Sequence, residues 1–388
     1  MLRTTLQNLA LRMTATLAAC LFATAALHAD PDPTPARVAP QGKQPLIQLA
    51  ILLDTSGSMD GLIGQAKTQL WSIVNEFARA RKRGQVPRLE VALYEYGNDG
   101  LSAEKGYIRQ VVPLTTDLDR ISEALFGLRT NGGSEWCGKV IDTAVTELQW
   151  SQDADALKTI FIAGNEPFTQ GPVNFPDAIK RALKQDITVN TIHCGSEHEG
   201  VAGGWKQAAL LADGRFSIID HNKVATYVAT PHDEEIARLG EQLNSTYVAY
   251  GNKGGEMKER QKKQDSNAQA AAPAAVVARS VAKSSAHYRN DGWDLVDAQK
   301  EGKVALEAMA DDELPAEMKG MTPEQRKAYV AEMERKRAAL QAKIRELEAK
   351  RQAYLAAQQK KGKDKDTFDA AVVESVRSGA GKKAFTFE

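Results

Sequence analysis

The sequence predicts an α/β protein: a doubly wound, mostly parallel six-stranded sheet, followed by a helical, partly coiled-coil-like carboxy-terminal region. Three observations carry this expectation. The run Ile47 to Asp54 is almost continuously apolar, as a strand buried on both faces must be. Downstream, short apolar runs alternate with segments of helical periodicity, the pattern of a parallel sheet covered on both sides. Beyond Gly251 such runs cease, and a long segment with heptad-like spacing takes over.

Taken in order, Leu46 to Asp54 is the first strand. Leu62, Ala66, Leu70, Ile73, Val74 and Phe77 then recur at helical spacing. Leu89 to Tyr96 and Tyr107 to Leu114 read as strands joined through the polar turn Gly97 to Gly100. Asp117 opens a helix to Leu128, and another runs from about Gly138 to Trp150. Leu157 to Ala163, Ile187 to His193 and Phe216 to Ile219 complete the six strands, with helices near Pro176 to Lys184, Trp205 to Leu211 and Asp233 to Leu243. Ligands of such sheets bind at the carboxyl ends of the strands.

Composition narrows the function. The 388 residues are 43% hydrophobic, enough for one full domain and an accessory region. A formal net charge of zero gives no general attraction to nucleic acid. Neither a dinucleotide or P-loop glycine fingerprint nor a spaced Cys/His quartet occurs. Residues 1–29 read as a signal peptide, with Arg3 and Arg12 before the apolar core Met13 to Leu27 and Ala29 before the cleavage point. Leu17-Ala-Ala-Cys20 is the alternative: a lipobox that would anchor the chain to a membrane through Cys20. Either way the expected location is the periplasm or outside the cell. Residues 30–44 are then a linker, 45–251 the sheet domain, 252–290 a flexible linker, and 291–388 a helical extension.

The chemistry concentrates where the first strand ends. Asp54-Thr-Ser56-Gly-Ser58 places one carboxylate and two hydroxyls in a Gly-containing turn. Hard oxygens of this kind suit Mg2+, with Mn2+ and Ca2+ as alternatives. Helix capping by the same residues is the plainer reading. The pattern closely resembles the metal-ion-dependent adhesion site (MIDAS) of von Willebrand factor type A domains, which begins Asp-x-Ser-x-Ser after the first strand. The resemblance spans roughly Pro45 to Gly251 and implies a Rossmann-like fold.

It also implies two further metal loops. At the family's Thr position, Gly132-Gly133-Ser134 offers Ser134, with Glu135 beside it able to ligate or to hold a water. In the third loop the family's Asp is absent; Gly164-Asn165-Glu166 offers a carbonyl oxygen from Asn165 or a carboxylate from Glu166. The resemblance implies binding rather than catalysis, with the cation completing its shell with an acidic residue of a partner protein. Ser56 and Ser58 lack the Gly-x-Ser-x-Gly setting of a hydrolase nucleophile.

Cleavage near Ala29 would leave Cys137 and Cys194 as the only cysteines, and a disulfide bracing the metal loops is expected between them, with two separate partly buried thiols as the alternative. His193 to Glu199 gathers zinc-type ligands without zinc spacing, and Trp136 reads as either a recognition aromatic or rim packing. In the extension, Thr322-Pro-Glu-Gln325 is a capping box opening a helix to about Lys360. Val330, Met333, Leu340, Ile344, Leu347 and Tyr354 fall at a and d positions, but Arg337 and Arg351 occupy two a positions. Such a seam can pair with a partner helix, fold back on Trp293 to Leu314, or stay solvated. The alternative functional reading is a structural envelope scaffold acting through these helices.

Overall fold

The structure, a computed structural model, describes residues 43–219, 228–361 and 368–387. The signal segment and Cys20 lie outside the described residues. The central strand β1, Leu46–Asp54, pairs in parallel with β3, Arg88–Tyr96, on one side and with β5, Leu157–Gly164, on the other. Beyond β5 lie β6, Ile187–Cys194, and β7, Phe216–Ile219, both parallel. The antiparallel β4, Ile108–Thr115, forms the other edge, giving the order β4-β3-β1-β5-β6-β7.

The pleat sorts β1 between two cores. Leu49, Ile51 and Leu53 face one side with helix α1, Ile63–Phe77, and helix α2, Leu118–Gly127. Ala50 and Leu52 face the other, with α3, Cys137–Glu147, α4, Phe175–Lys184, and the shorter α5, Glu197–Ala202, and α6, Trp205–Leu211, along that flank. Because both faces are covered, the strand needs apolar side chains at every position, which is why its sequence runs apolar rather than alternating.

Past α7, Asp233–Leu243, the structure departs from the expected linker. Residues 254–284 form two helices, α8, Gly254–Ala271, and α9, Pro273–Ser284. The seam that seats α8 is polar, so no apolar period betrays it. Gln261 and Gln264 are buried, Arg260 pairs with Asp117 at 2.5 Å, and Asp265 bonds Arg279 at 2.8 Å and Lys283 at 2.7 Å. Arg279 also pairs with buried Asp119 at 2.6 Å, stitching α9 to α2.

The rest of the extension folds back. α10, Leu295–Lys300, and the 39-residue α11, Pro323–Lys361, enclose a third core containing Val248, Leu295, Leu306, Leu314, Val330 and Met333. The capping box forms as written: the Thr322 amide donates to Gln325 Oε1 at 2.9 Å, and the Gln325 amide to Thr322 Oγ1 at 3.3 Å. The two arginines in the seam have carboxylate partners. Arg351 meets Asp233 at 2.9 Å. Arg337 holds both oxygens of Asp294, at 2.7 and 3.0 Å, donates to the Thr246 carbonyl at 2.6 Å, and lies 4.1 Å from the Tyr247 ring centre. Finally α12, Phe368–Gly381, leads to the two-residue strand β8, Thr386–Phe387, which pairs antiparallel with β2, Ala80–Arg81, just after α1.

Asp294 is fully buried, so removing Arg337 strands a charge in the core. Arg337→Met should cost about 3–5 kcal/mol. It should also lower the denaturation midpoint of the sheet domain and of the extension together. Urea titration followed by far-ultraviolet circular dichroism and tryptophan fluorescence checks this; a loss confined to one probe would contradict it.

Candidate metal centre

Three strand ends and one helix start converge on Asp54. Its position at the carboxyl end of β1 sets it beside Tyr96 of β3 in the sheet register. Two glycines admit it. A Cβ on Gly97, which has φ +75°, would lie 2.9 Å from Asp54 Oδ1, and one on Gly164 would lie 2.9 Å from Oδ2 and 2.5 Å from the Tyr96 hydroxyl. Neither position could carry a side chain without moving the carboxylate.

The turn after β1 is fixed by backbone pairing to its neighbours. The Thr55 amide donates to the Tyr96 carbonyl at 2.9 Å, the Asn131 amide to the Thr55 carbonyl at 3.0 Å, and the Gly57 amide to the Gly132 carbonyl at 3.1 Å. The Gly-rich loop before α3 is thereby laid against the Asp54 turn. Asp54 is 0% exposed. Its Oδ1 accepts from the Ser56 amide at 2.8 Å, and its Oδ2 is buried without a hydrogen-bond partner. Burial pushes the carboxyl pKa up to about 7, opposed by the Ser56 amide and hydroxyl and reinforced by nearby Glu135.

Next to this carboxylate lies a row of oxygens. Ser56 Oγ is 2.9 Å from Ser58 Oγ, and the Ser58 hydroxyl donates to Asn165 Oδ1 at 3.0 Å. The Asn165 amide nitrogen donates back to the Ser58 carbonyl at 3.2 Å, which holds its oxygen toward the serines. Adjacent ligands of octahedral Mg2+, bonded at ~2.05 Å, are about 2.9 Å apart. The serine and asparagine oxygens already have that spacing, and the partnerless Oδ2 of Asp54 offers charge. These residues fit a hard divalent cation. Among the described residues no three His, Cys, Asp or Glu side chains form a metal cluster, so the donor set here is hydroxyl-rich.

The structure thus brings Asp54, Ser56, Ser58 and Asn165 into one connected group. Ser134 sits in the adjoining loop, half-buried, and makes no hydrogen bond to that group. Glu166 stands beyond Asn165, its carboxylate 3.5 Å from Gln170 Nε2 and its backbone carbonyl accepting from the Trp205 indole at 2.8 Å. Glu135, which the sequence offers as a ligand or water holder beside Ser134, is buried next to this group. It is 6% exposed, near the Ser56 hydroxyl, and its pKa is raised first by burial and then by Glu166 and Asp99. The floor made by Tyr96 and Gly97 went unread; a glycine ending an apolar strand opposite the Asp was its only signal.

The expected disulfide is not formed: Cys137 and Cys194 are both buried free thiols. Their side chains belong to cores on opposite faces of the sheet, Cys137 beside Ala50 and Leu52, Cys194 with Ile51 and Leu53. Sharing a sheet edge does not bring two side chains together across the sheet. Trp136 packs edge-on against Tyr107, with ring centres 5.5 Å apart, as a rim residue. His193 is buried against Trp205, Glu199 caps its own helix through Ser196, and among the described residues no three of these zinc-type side chains form a cluster.

Residues 48–201 match the von Willebrand factor type A domain family, and the chain carries a domain of that family there. Among solved structures, the conserved hypothetical protein BatB from Bacteroides thetaiotaomicron is similar at 16% identity and TM-score 0.35, over 45% of this chain and 90% of that one. The SpRpn10 VWA domain is similar at 18% identity and TM-score 0.35, over 45% of this chain and 88% of that one. Proximal thread matrix protein 1 from the mussel byssus, in a form with a zinc-occupied MIDAS motif, is similar at 10% identity and TM-score 0.34, over 47% of this chain and 43% of that one. Comparison with curated proteins finds no match.

The raised Asp54 pKa has a stability consequence in metal-free protein. An unfolded Asp ionises near pH 4, whereas the folded group holds its proton to about 7. The unfolded chain therefore sheds its proton first, and stability falls as pH rises through that interval. Asp54→Asn should remove this fall, leaving the chelator-treated variant more stable than wild type at pH 8, by a few kcal/mol at most, with the difference shrinking toward pH 4. Urea midpoints at both pH values test it; a wild type equally stable at pH 8 would refute the assignment.

Proposed function

We propose that this protein is a metal-ion-dependent binding module of the bacterial envelope. A divalent cation, Mg2+ before Mn2+ or Ca2+, would be held by Ser56 and Ser58 with Asp54 supplying charge. Ser134, Asn165 and Glu166 would complete the protein side, directly or through water. The observation that carries this reading is the contiguous set of oxygens at 2.9 and 3.0 Å beside a buried carboxylate oxygen without a partner. A bound Mg2+ commonly keeps waters in its shell, and one of them can exchange for an oxygen from a partner protein. With Asp54 as the one firmly placed charge, an acidic partner residue is the ligand such an ion would favour.

Domains of this family are commonly interaction modules, and the Ser56 and Ser58 hydroxyls are engaged with each other and with Asn165. The scaffold alternative loses support from the packing. Val330, Met333, Ile344 and Leu347, the seam it would use, are all buried within the chain. Among the described residues no helix is long and apolar enough to cross a membrane. The envelope location rests on the reading of residues 1–29, and membrane anchoring would follow only from lipidation at Cys20.

Calorimetric titration with Mg2+ and Mn2+ should show one site in wild type and none in Asp54→Ala; equal affinities would reject the site. Immobilised protein incubated with envelope extract should retain its partner only while metal is present. Retention undiminished by chelator would reject the metal-dependent mode.

A further inference from the structure

We infer that Glu135, from the loop before α3, is the second carboxylate of the metal centre and takes the place of the acidic ligand missing after β5. This rests on the metal-binding reading above and deepens it. The argument is geometric. A Cβ on Gly97 would lie 2.9 Å from Asp54 Oδ1, 3.0 Å from Glu135 Cγ and 3.5 Å from Ser56 Cβ, so the three side chains border one small space. Glu135 immediately precedes Trp136, the N-cap residue of α3, and the hydrogen bond from the Gly57 amide to the Gly132 carbonyl fixes its loop against the Asp54 turn. It is 6% exposed, in contrast to half-buried Glu166, whose carboxylate extends toward Gln170.

Two carboxylates in one buried space repel each other unless one takes up a proton or a cation lies between them. Among the described residues, no Lys or Arg forms an ion pair with Asp54, Glu135 or Glu166, although paired charges are abundant elsewhere in the chain, as at Arg337 and Arg279. The partnerless Asp54 Oδ2 faces the same deficit. A divalent cation supplies what the protein withholds.

The test is calorimetric titration of full-length wild type, Glu135→Gln, Glu166→Gln and Asp54→Asn with Mn2+, each confirmed as folded by circular dichroism. Glu135→Gln should weaken Mn2+ binding at least about tenfold and by more than Glu166→Gln, because it removes a charged ligand at constant shape. A smaller loss, or a larger loss at Glu166→Gln, overturns the assignment while leaving the centre itself standing. Absence of Mn2+ binding in wild type overturns the centre and the assignment together. Should Glu135→Gln not fold, the Asp variants of the two positions replace the Gln variants, with the same ordering required.

Discussion

A carboxylate buried at the end of the central strand is the constraint on which the rest of this molecule turns. Asp54 has no exposure, one oxygen satisfied by its own turn, and one left without a donor. Burying such a group costs several kcal/mol unless something compensates. The surroundings are shaped around that cost: glycines where a side chain would displace it, three loops tied to one another by backbone hydrogen bonds, and hydroxyl and amide oxygens spaced for a hard cation. These contacts hold the turn and its neighbouring loops together, an arrangement that would lower the ordering cost of binding an ion.

What could be read from the sequence was what is local. The apolar run of β1 and the Asp-x-Ser-x-Ser turn are contiguous, so strand, turn and ligand types appear together on the page. The alternation of strands and helices likewise placed the mostly parallel sheet. What could not be read depended on partners distant in the chain. Gln261, Gln264 and Asp265 look like a solvated linker because the groups that bond them, Tyr288, Ser122, Asn244 and Arg279, are distant in the chain. Glu135 reads from the sequence as able to ligate or to hold a water beside Ser134, but not as buried, since its burial arises from the approach of Gly97 and Asp54. The cysteine pairing failed for a related reason. Pleat parity decides which face a strand residue serves, and Cys194 shares parity with Ile192 rather than with the face that receives α3.

The carboxy-terminal half shows how a charge-rich sequence can still be an integral part of a fold. Its helices are seated by buried ion pairs as much as by apolar contacts, with Arg279 bridging Asp119 and Asp265, and Arg337 bridging Asp294 and Asp297. Such pairs are weak net stabilisers but strong specifiers, because any misregister leaves a charge stranded. That trades some stability for a single docking register of α11. It also explains why Arg337 and Arg351, which weaken a coiled-coil seam on paper, are compatible with a long helix packed along much of its length.

The small sheet made by β2 and β8 joins residues 305 apart in the chain. α1 begins beside the metal turn and runs about 22 Å, at 1.5 Å per residue, before reaching it. The far end of the sheet domain is thus tied to β8, so this contact closes only after residues 386–387 have been added to the chain. Loops of this span close slowly. The Asp54 turn, assembled with loops no further along the chain than Asn165, can be built well before β2 and β8 meet, and disrupting β8 would disturb that far pairing rather than the turn.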